Sequence, residues 1–179
     1  MLVRENTGLI VVDVQGKLAR LVHDSNALIS NCEKLIKGAQ ILDLPIILLE
    51  QNPNKLGSTV NELGAILNGV EPLIKFTFNG CESLNFLEAI RNQNVDTWLI
   101  CGIEAHICVY QTAKGLVELG YKVALVSDCI SSRDLSNKQL CINRLRNNGV
   151  EITGVEMCLY ELVKDCNSSE FKTILSLVR

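Results

Sequence analysis

Three residues far apart in the chain have the types and settings of a nucleophilic site. Cys108 stands in "WLICGIEAHICVYQTA", where an apolar run ends at Gly102 and a helical pattern begins near Ile107 or Cys108. A sulfur at a helix start feels the positive end of the peptide dipoles, which favours the thiolate, the nucleophilic form. Free backbone N–H groups in that first turn suit a developing oxyanion. Asp13 closes the apolar run "LIVVDVQ", and Lys75 interrupts the run "LIKFTFN". Brought together, the carboxylate takes the thiol proton, the thiolate attacks a carbonyl carbon, and the ammonium steadies the charged pair. Each residue also has a plainer reading. Asp13 marks the polar exit of a strand, and Lys75 is an edge-strand lysine reaching solvent. Cys108 is one of eight cysteines, and a free thiol in an apolar run behaves as a small hydrophobe.

Whether the three meet depends on the elements that carry them. Short apolar runs, many of them β-branched, are expected as strands: "GLIVVDV" from Gly8, "PIILLEQ" from Pro45, "PLIKFTF" from Pro72, "TWLICG" from Thr97, "KVALVSDC" from Lys122 and a weaker "VEITGV" from Val150. Continuous apolar runs suit strands buried on both faces of a parallel sheet. Between them lie helical patterns. "SNALISNCEKLIKGAQILD" repeats apolar residues at Leu28, Cys32, Leu35, Ile36 and Ala39, which is helical spacing. "STVNELGAIL" places Thr59 three residues before Glu62, a capping-box pattern. "CVYQTAKGLVELG" stops at Gly120, "SNKQLCINRLRNNG" runs from Ser136 to Gly149, and a last helix covers "SSEFKTILSLV". Six strands alternating with helices predict right-handed crossovers and a three-layer α/β/α sandwich around a six-stranded parallel sheet.

The 179 residues show no linker or repeat and are read as a single domain, 1–179. In sheets of this kind ligands bind at the carboxyl ends of the strands, where strand order reverses. That makes Gln15, Gln51, Ile103 and His106 candidate pocket residues beside the three above. Glu50 and Gln51 line a pocket or belong to a loop, His106 carries protons or holds a loop, and Asp128 caps the turn "CISSRD".

Composition excludes several other classes. The net charge is −3 with Lys and Arg dispersed, whereas a nucleic-acid surface needs a basic stripe. No window reaches the length of a membrane span, and the opening "MLVRENTGLIVVD" does not form a signal sequence, so a cytoplasmic protein is expected. With no C-x-x-C and only His23 and His106 as histidines, no metal is expected. There is no G-x-G-x-x-G after the first strand and no Walker loop, and no cofactor is expected. An aspartyl phosphatase would place a second carboxylate two residues after Asp13, where Gln15 stands.

The stretches "LIVVDVQ", "LIKFTFN" and "ICGIEAHICVYQTA", in this order, resemble the isochorismatase-like cysteine hydrolases. "LLEQNPNKLGSTVNEL" extends the resemblance toward the compact isochorismatase domain-containing branch, over nearly the whole chain. The resemblance implies a Rossmann-like six-stranded parallel sheet and a triad at Asp13, Lys75 and Cys108. It implies hydrolysis of a small amide or carbamoyl compound through a thioester-type intermediate, without metal. It also implies a cis peptide between Ile103 and Glu104, with the N–H groups of Glu104 and Cys108 turned toward an oxyanion. Family members commonly form homo-oligomers. Many relatives carry a small residue at position 104, so Glu104 is a departure. The alternatives are a non-catalytic scaffold that keeps fold and pocket, and a nuclease-like role, which the dispersed charge does not support.

Overall fold

The computed structural model describes all 179 residues. Its first half comprises β1 (Thr7–Val12), α1 (Leu18–Leu21), α2 (Ser25–Ile41), β2 (Ile46–Gln51), α3 (Pro53–Leu56), α4 (Asn61–Gly64), β3 (Leu73–Lys75) and α5 (Leu84–Asn92). The second half comprises β4 (Thr97–Gly102), α6 (Tyr110–Glu118), β5 (Lys122–Ile130), α7 (Leu135–Arg146), β6 (Glu151–Thr153), α8 (Val155–Val163) and α9 (Phe171–Val178). The strands form one sheet in the order β3-β2-β1-β4-β5-β6, every pair parallel. The chain winds outward from β1 to β3, then returns to the other side of β1 and winds outward again. Strand order therefore reverses between β1 and β4, the position where such sheets open a crevice.

Alternation along the central strands divides the core in two. Leu9 and Val11 of β1 face a cluster that includes Leu35, Ile36 and Leu159 from α2 and α8. Ile10 and Val12 face the opposite cluster, with Phe86, Leu116 and Leu145 from α5, α6 and α7. Each face of the sheet is thus covered by helices, which is the three-layer α/β/α sandwich expected from the strand and helix patterns. Cys32, Cys101, Cys129 and Cys158 pack in the first cluster as small apolar side chains.

Several local expectations are corrected. The third strand stops at Lys75 rather than continuing through Phe78. Thr59 makes no capping box: its N–H and hydroxyl both donate to the buried Glu50 carboxylate at 2.7 Å, and α4 is only one turn long. Asp128 caps no following turn, because its carboxylate accepts from the Val155 N–H at the start of α8. Helices α5 and α8 were not among the expected elements. The helix after β4 begins earlier than expected, in a wide turn over Ala105–Val109 that leads into α6.

Gly102 ends β4 at the reversal point. Its φ is +122°, and a Cβ there would lie 2.0 Å from the Val12 carbonyl oxygen. The next residue, Ile103, donates its N–H to that same carbonyl at 2.9 Å. Only glycine allows β4 to lie this close to the residue preceding Asp13. Gly102→Ala is expected to lose roughly 2–4 kcal/mol of stability in urea unfolding. Gly69→Ala, also at positive φ but with nothing within 4 Å of the added Cβ, should lose only about 1–2 kcal/mol.

Candidate active site

The three residues singled out by type and context converge where strand order reverses. Asp13 follows β1 directly, with φ at +51°, a left-handed conformation that aspartate tolerates better than most residues. Lys75 is the last residue of the edge strand β3, yet its side chain is fully buried rather than reaching solvent. Its Nζ lies 2.7 Å from Asp13 Oδ2, 2.7 Å from Gln51 Oε1 and 3.2 Å from the Thr77 carbonyl. An ammonium has three protons to donate, and all three have acceptors here. Such a charge tolerates burial because it is both paired and fully hydrogen-bonded.

The other carboxylate oxygen, Asp13 Oδ1, is buried and accepts no hydrogen bond. Cys108 is close enough to Asp13 for each group to shift the other's titration. Its sulfur also lies 4.0 Å from Gln51 Oε1. Burial pushes the Cys108 thiol up to about 12, and the Asp13 carboxylate adds to the effect while Lys75 opposes it. The resting cysteine therefore keeps its proton. The expected helix-start position is corrected: Cys108 lies in the fourth position of the Ala105–Val109 turn, 7 % exposed, where desolvation and the neighbouring Asp13 disfavour the thiolate. Asp13 is itself raised above the ordinary carboxylate value, chiefly by burial, with the Lys75 charge and hydrogen bond acting against it.

The Ile103–Glu104 peptide is cis. The Glu104 N–H donates to no backbone carbonyl. The Glu104 side chain is buried, and its Oε1 accepts from both the N–H and Nε of Arg133 at 3.1 Å.

A cavity of about 90 Å³ opens onto the sulfur, lined by Asp13, Gln51, Glu104 and Cys108 together with the apolar Leu18, Leu56, Phe78, Ile103 and Ile107. Of the four expected pocket residues, Gln51 and Ile103 line it and two do not. Gln15 is buried beneath it, where its amide donates to the Gln51 and Gly57 carbonyls and accepts from the Gln51 N–H. It fixes the end of β2 and hence the Gln51 side chain. His106 faces away: its Nδ1 pairs with Ser132 Oγ at 2.9 Å, and its ring lines a separate cavity with Tyr110 and Arg144. Residues two apart on a helical turn do not share a face, so Cys108 and His106 diverge. The apolar lining from Leu18, Leu56 and Phe78 was not anticipated, because it comes from short turns with no periodic pattern. No group of three His, Cys, Asp or Glu side chains is arranged to hold a metal ion.

Residues 7–157 match the family described as Isochorismatase domain. Isochorismatase domain-containing protein 2 from Danio rerio is 34% identical over 175 residues, covering 95% of this chain and 85% of that protein. The MAR1 ribonuclease structure from Caenorhabditis elegans superposes with a TM-score of 0.92 at 31% identity, covering 99% of this chain and 91% of that one. The YcaC structure from Escherichia coli, described as an octameric hydrolase of unknown specificity, gives 0.92 at 22% identity, covering 98% and 89%.

The buried pair yields a test of stability. Lys75→Met leaves the Asp13 carboxylate buried without its cation and is expected to lose about 3–5 kcal/mol at neutral pH. Asp13 is already raised in the intact protein, and losing the ammonium raises it further. An acid whose folded value lies above its unfolded value loses stability as pH rises through the folded value. The deficit of Lys75→Met in urea unfolding should therefore be largest at neutral and alkaline pH and shrink on acidification.

Proposed function

The chain belongs to the isochorismatase family, and on that footing we propose that it is a metal-free cysteine hydrolase, using no cofactor, for a small amide or carbamoyl-type substrate. The observation that carries this reading is that Asp13, paired with the buried Lys75, and Cys108 line the same small, mostly apolar cavity. The catalytic residues are Asp13, Lys75 and Cys108, in one domain spanning residues 1–179.

Asp13 Oδ1, the unoccupied carboxylate oxygen, accepts the thiol proton as the Cys108 sulfur attacks the substrate carbonyl carbon. The N–H groups of Glu104 and Cys108 hold the resulting oxyanion. Collapse breaks the C–N bond, Asp13 returns its proton to the leaving nitrogen, and a thioester remains. Water then attacks the thioester with Asp13 as base, which releases the carboxylic acid and restores the thiol. Lys75 favours the ionised form of Asp13 at the start of each step and keeps the carboxyl oriented while it carries the proton. The lining suits a compact molecule, and the dicarboxylate that gives the family its name would find no free cation there.

The exposed apolar side chains Ile74, Phe76, Phe78 and Leu84, close to β3 and the cavity, support association into a homo-oligomer. Eight free cysteines support a reducing, cytoplasmic setting. Among the similar solved structures three carry a ribonuclease name. Nucleic-acid binding that weakens steeply with salt would favour that chemistry over the one proposed.

Screening small neutral amides and carbamoyl compounds should reveal turnover that Cys108→Ala abolishes while its thermal unfolding stays cooperative. Asp13→Asn should lower kcat/KM by at least roughly a hundredfold. The acid limb of kcat/KM should fall at a pH above the ordinary carboxylate value of about 3.9, because Asp13 is raised and must be ionised to act. Turnover undiminished in Cys108→Ala would remove the nucleophile assignment.

A further inference from the structure

The cavity beside Cys108 is unusual in the balance of its charges. Two of its lining residues are acids, Asp13 and Glu104, and none is a cation. Lys75 is near, but its three donors are engaged by Asp13, Gln51 and Thr77, so it has none left for a bound molecule. The only other cation that touches these acids is Arg133, whose side chain is 61% exposed while that of Glu104 is 6% exposed. An exposed guanidinium is screened by water and neutralises a buried carboxylate only in part. Arg133 contacts only Oε1 of Glu104, and Oε2 has no protein donor.

From this arrangement we propose that Glu104, held by Arg133, is the specificity-determining residue of the site. It excludes anionic acyl groups and favours small, neutral carbonyl compounds that carry N–H donors. The inference deepens the hydrolase reading and rests on it for the role of Cys108. A carboxylate on the acyl side of a substrate would enter a low-dielectric space facing Asp13 and Glu104 with no cation free to meet it. A carboxamide or ureido nitrogen instead offers hydrogens to acceptors that lack donors. Arg133 acts as a positioning residue: by fixing Oε1 through its N–H and its Nε, it keeps the carboxylate at the cavity wall.

Two alkylating agents of nearly equal size, neutral iodoacetamide and anionic iodoacetate, report this charge without requiring turnover. In each case the Cys108 sulfur displaces iodide from the methylene carbon and loses its proton. Peptide mapping gives the rate at Cys108 and, in the same molecules, at the exposed Cys166, which sets the reagents' intrinsic preference. In the wild-type protein the iodoacetamide-to-iodoacetate rate ratio should be at least about tenfold larger at Cys108 than at Cys166. Glu104→Gln, which retains an oxygen able to accept from Arg133, should lower the Cys108 ratio several-fold toward that of Cys166. Arg133→Met, which strips the partial neutralisation and keeps the carboxylate, should raise it. Equal ratios at the two cysteines, or a Cys108 ratio unmoved by both substitutions, would overturn the proposal even if the enzyme hydrolyses amides. A shifted ratio in a protein that hydrolyses no amide would instead uphold this selectivity and sink the hydrolase reading alone.

Discussion

The ion pair between Lys75 and Asp13 is the constraint around which the site is arranged. Two opposite charges are held 2.7 Å apart with side-chain exposures of 0% and 2%. At such burial the cost of desolvation is met only when every donor of the ammonium is occupied. Gln51 and Thr77 supply the remaining acceptors. That requirement fixes the ends of three adjacent strands at once: β1 presents Asp13, β2 presents Gln51, and β3 presents Lys75. Gln15 secures the middle of this arrangement through three hydrogen bonds to the ends of β2 and its following loop.

The same pair governs the chemistry proposed for Cys108. A thiol beside a buried carboxylate rests protonated, and burial holds it there. Activation then occurs during attack, when the proton passes to an oxygen that has no other partner. The lysine is needed because an unpaired carboxylate in this position would itself take up a proton and cease to act as a base. A resting thiol also restrains unwanted oxidation and alkylation, since reactivity follows the thiolate.

Much of this was legible in the sequence, and the reasons are physical. Buried parallel strands are uniformly apolar, so "LIVV" and "TWLICG" announce themselves, and the polar residue that ends such a run lies at the sheet's ligand-binding edge. Lys75 was conspicuous because a lysine rarely follows two apolar residues into a sheet. Its burial on an edge strand was not legible, since that depends on Thr77 and Gln51 folding over it. His106 and Gln15 were misplaced for a related reason: proximity in sequence to a site residue does not fix which way a side chain points. The wide turn at Ala105–Val109 shifts helical phase, and no residue pattern marks it. The titration of Cys108 was also hidden, because the dipole is local while the opposing burial and the Asp13 charge come from distant parts of the chain. Glu104 could be seen as a departure from relatives, but its partner Arg133, 29 residues on, emerges only when β4 and β5 lie side by side.

In the proposed reaction Cys108 becomes covalently acylated, with Asp13 taking its proton. Acid-quenching the protein during turnover of a small neutral amide, followed by intact-mass and peptide measurement, reads that step. A transient mass increase equal to the acyl group is expected, confined to the peptide containing Cys108 and labile to hydroxylamine as a thioester is. Steady turnover with Cys108 unmodified at every time point, while acylation is found on another residue or on none, would contradict it.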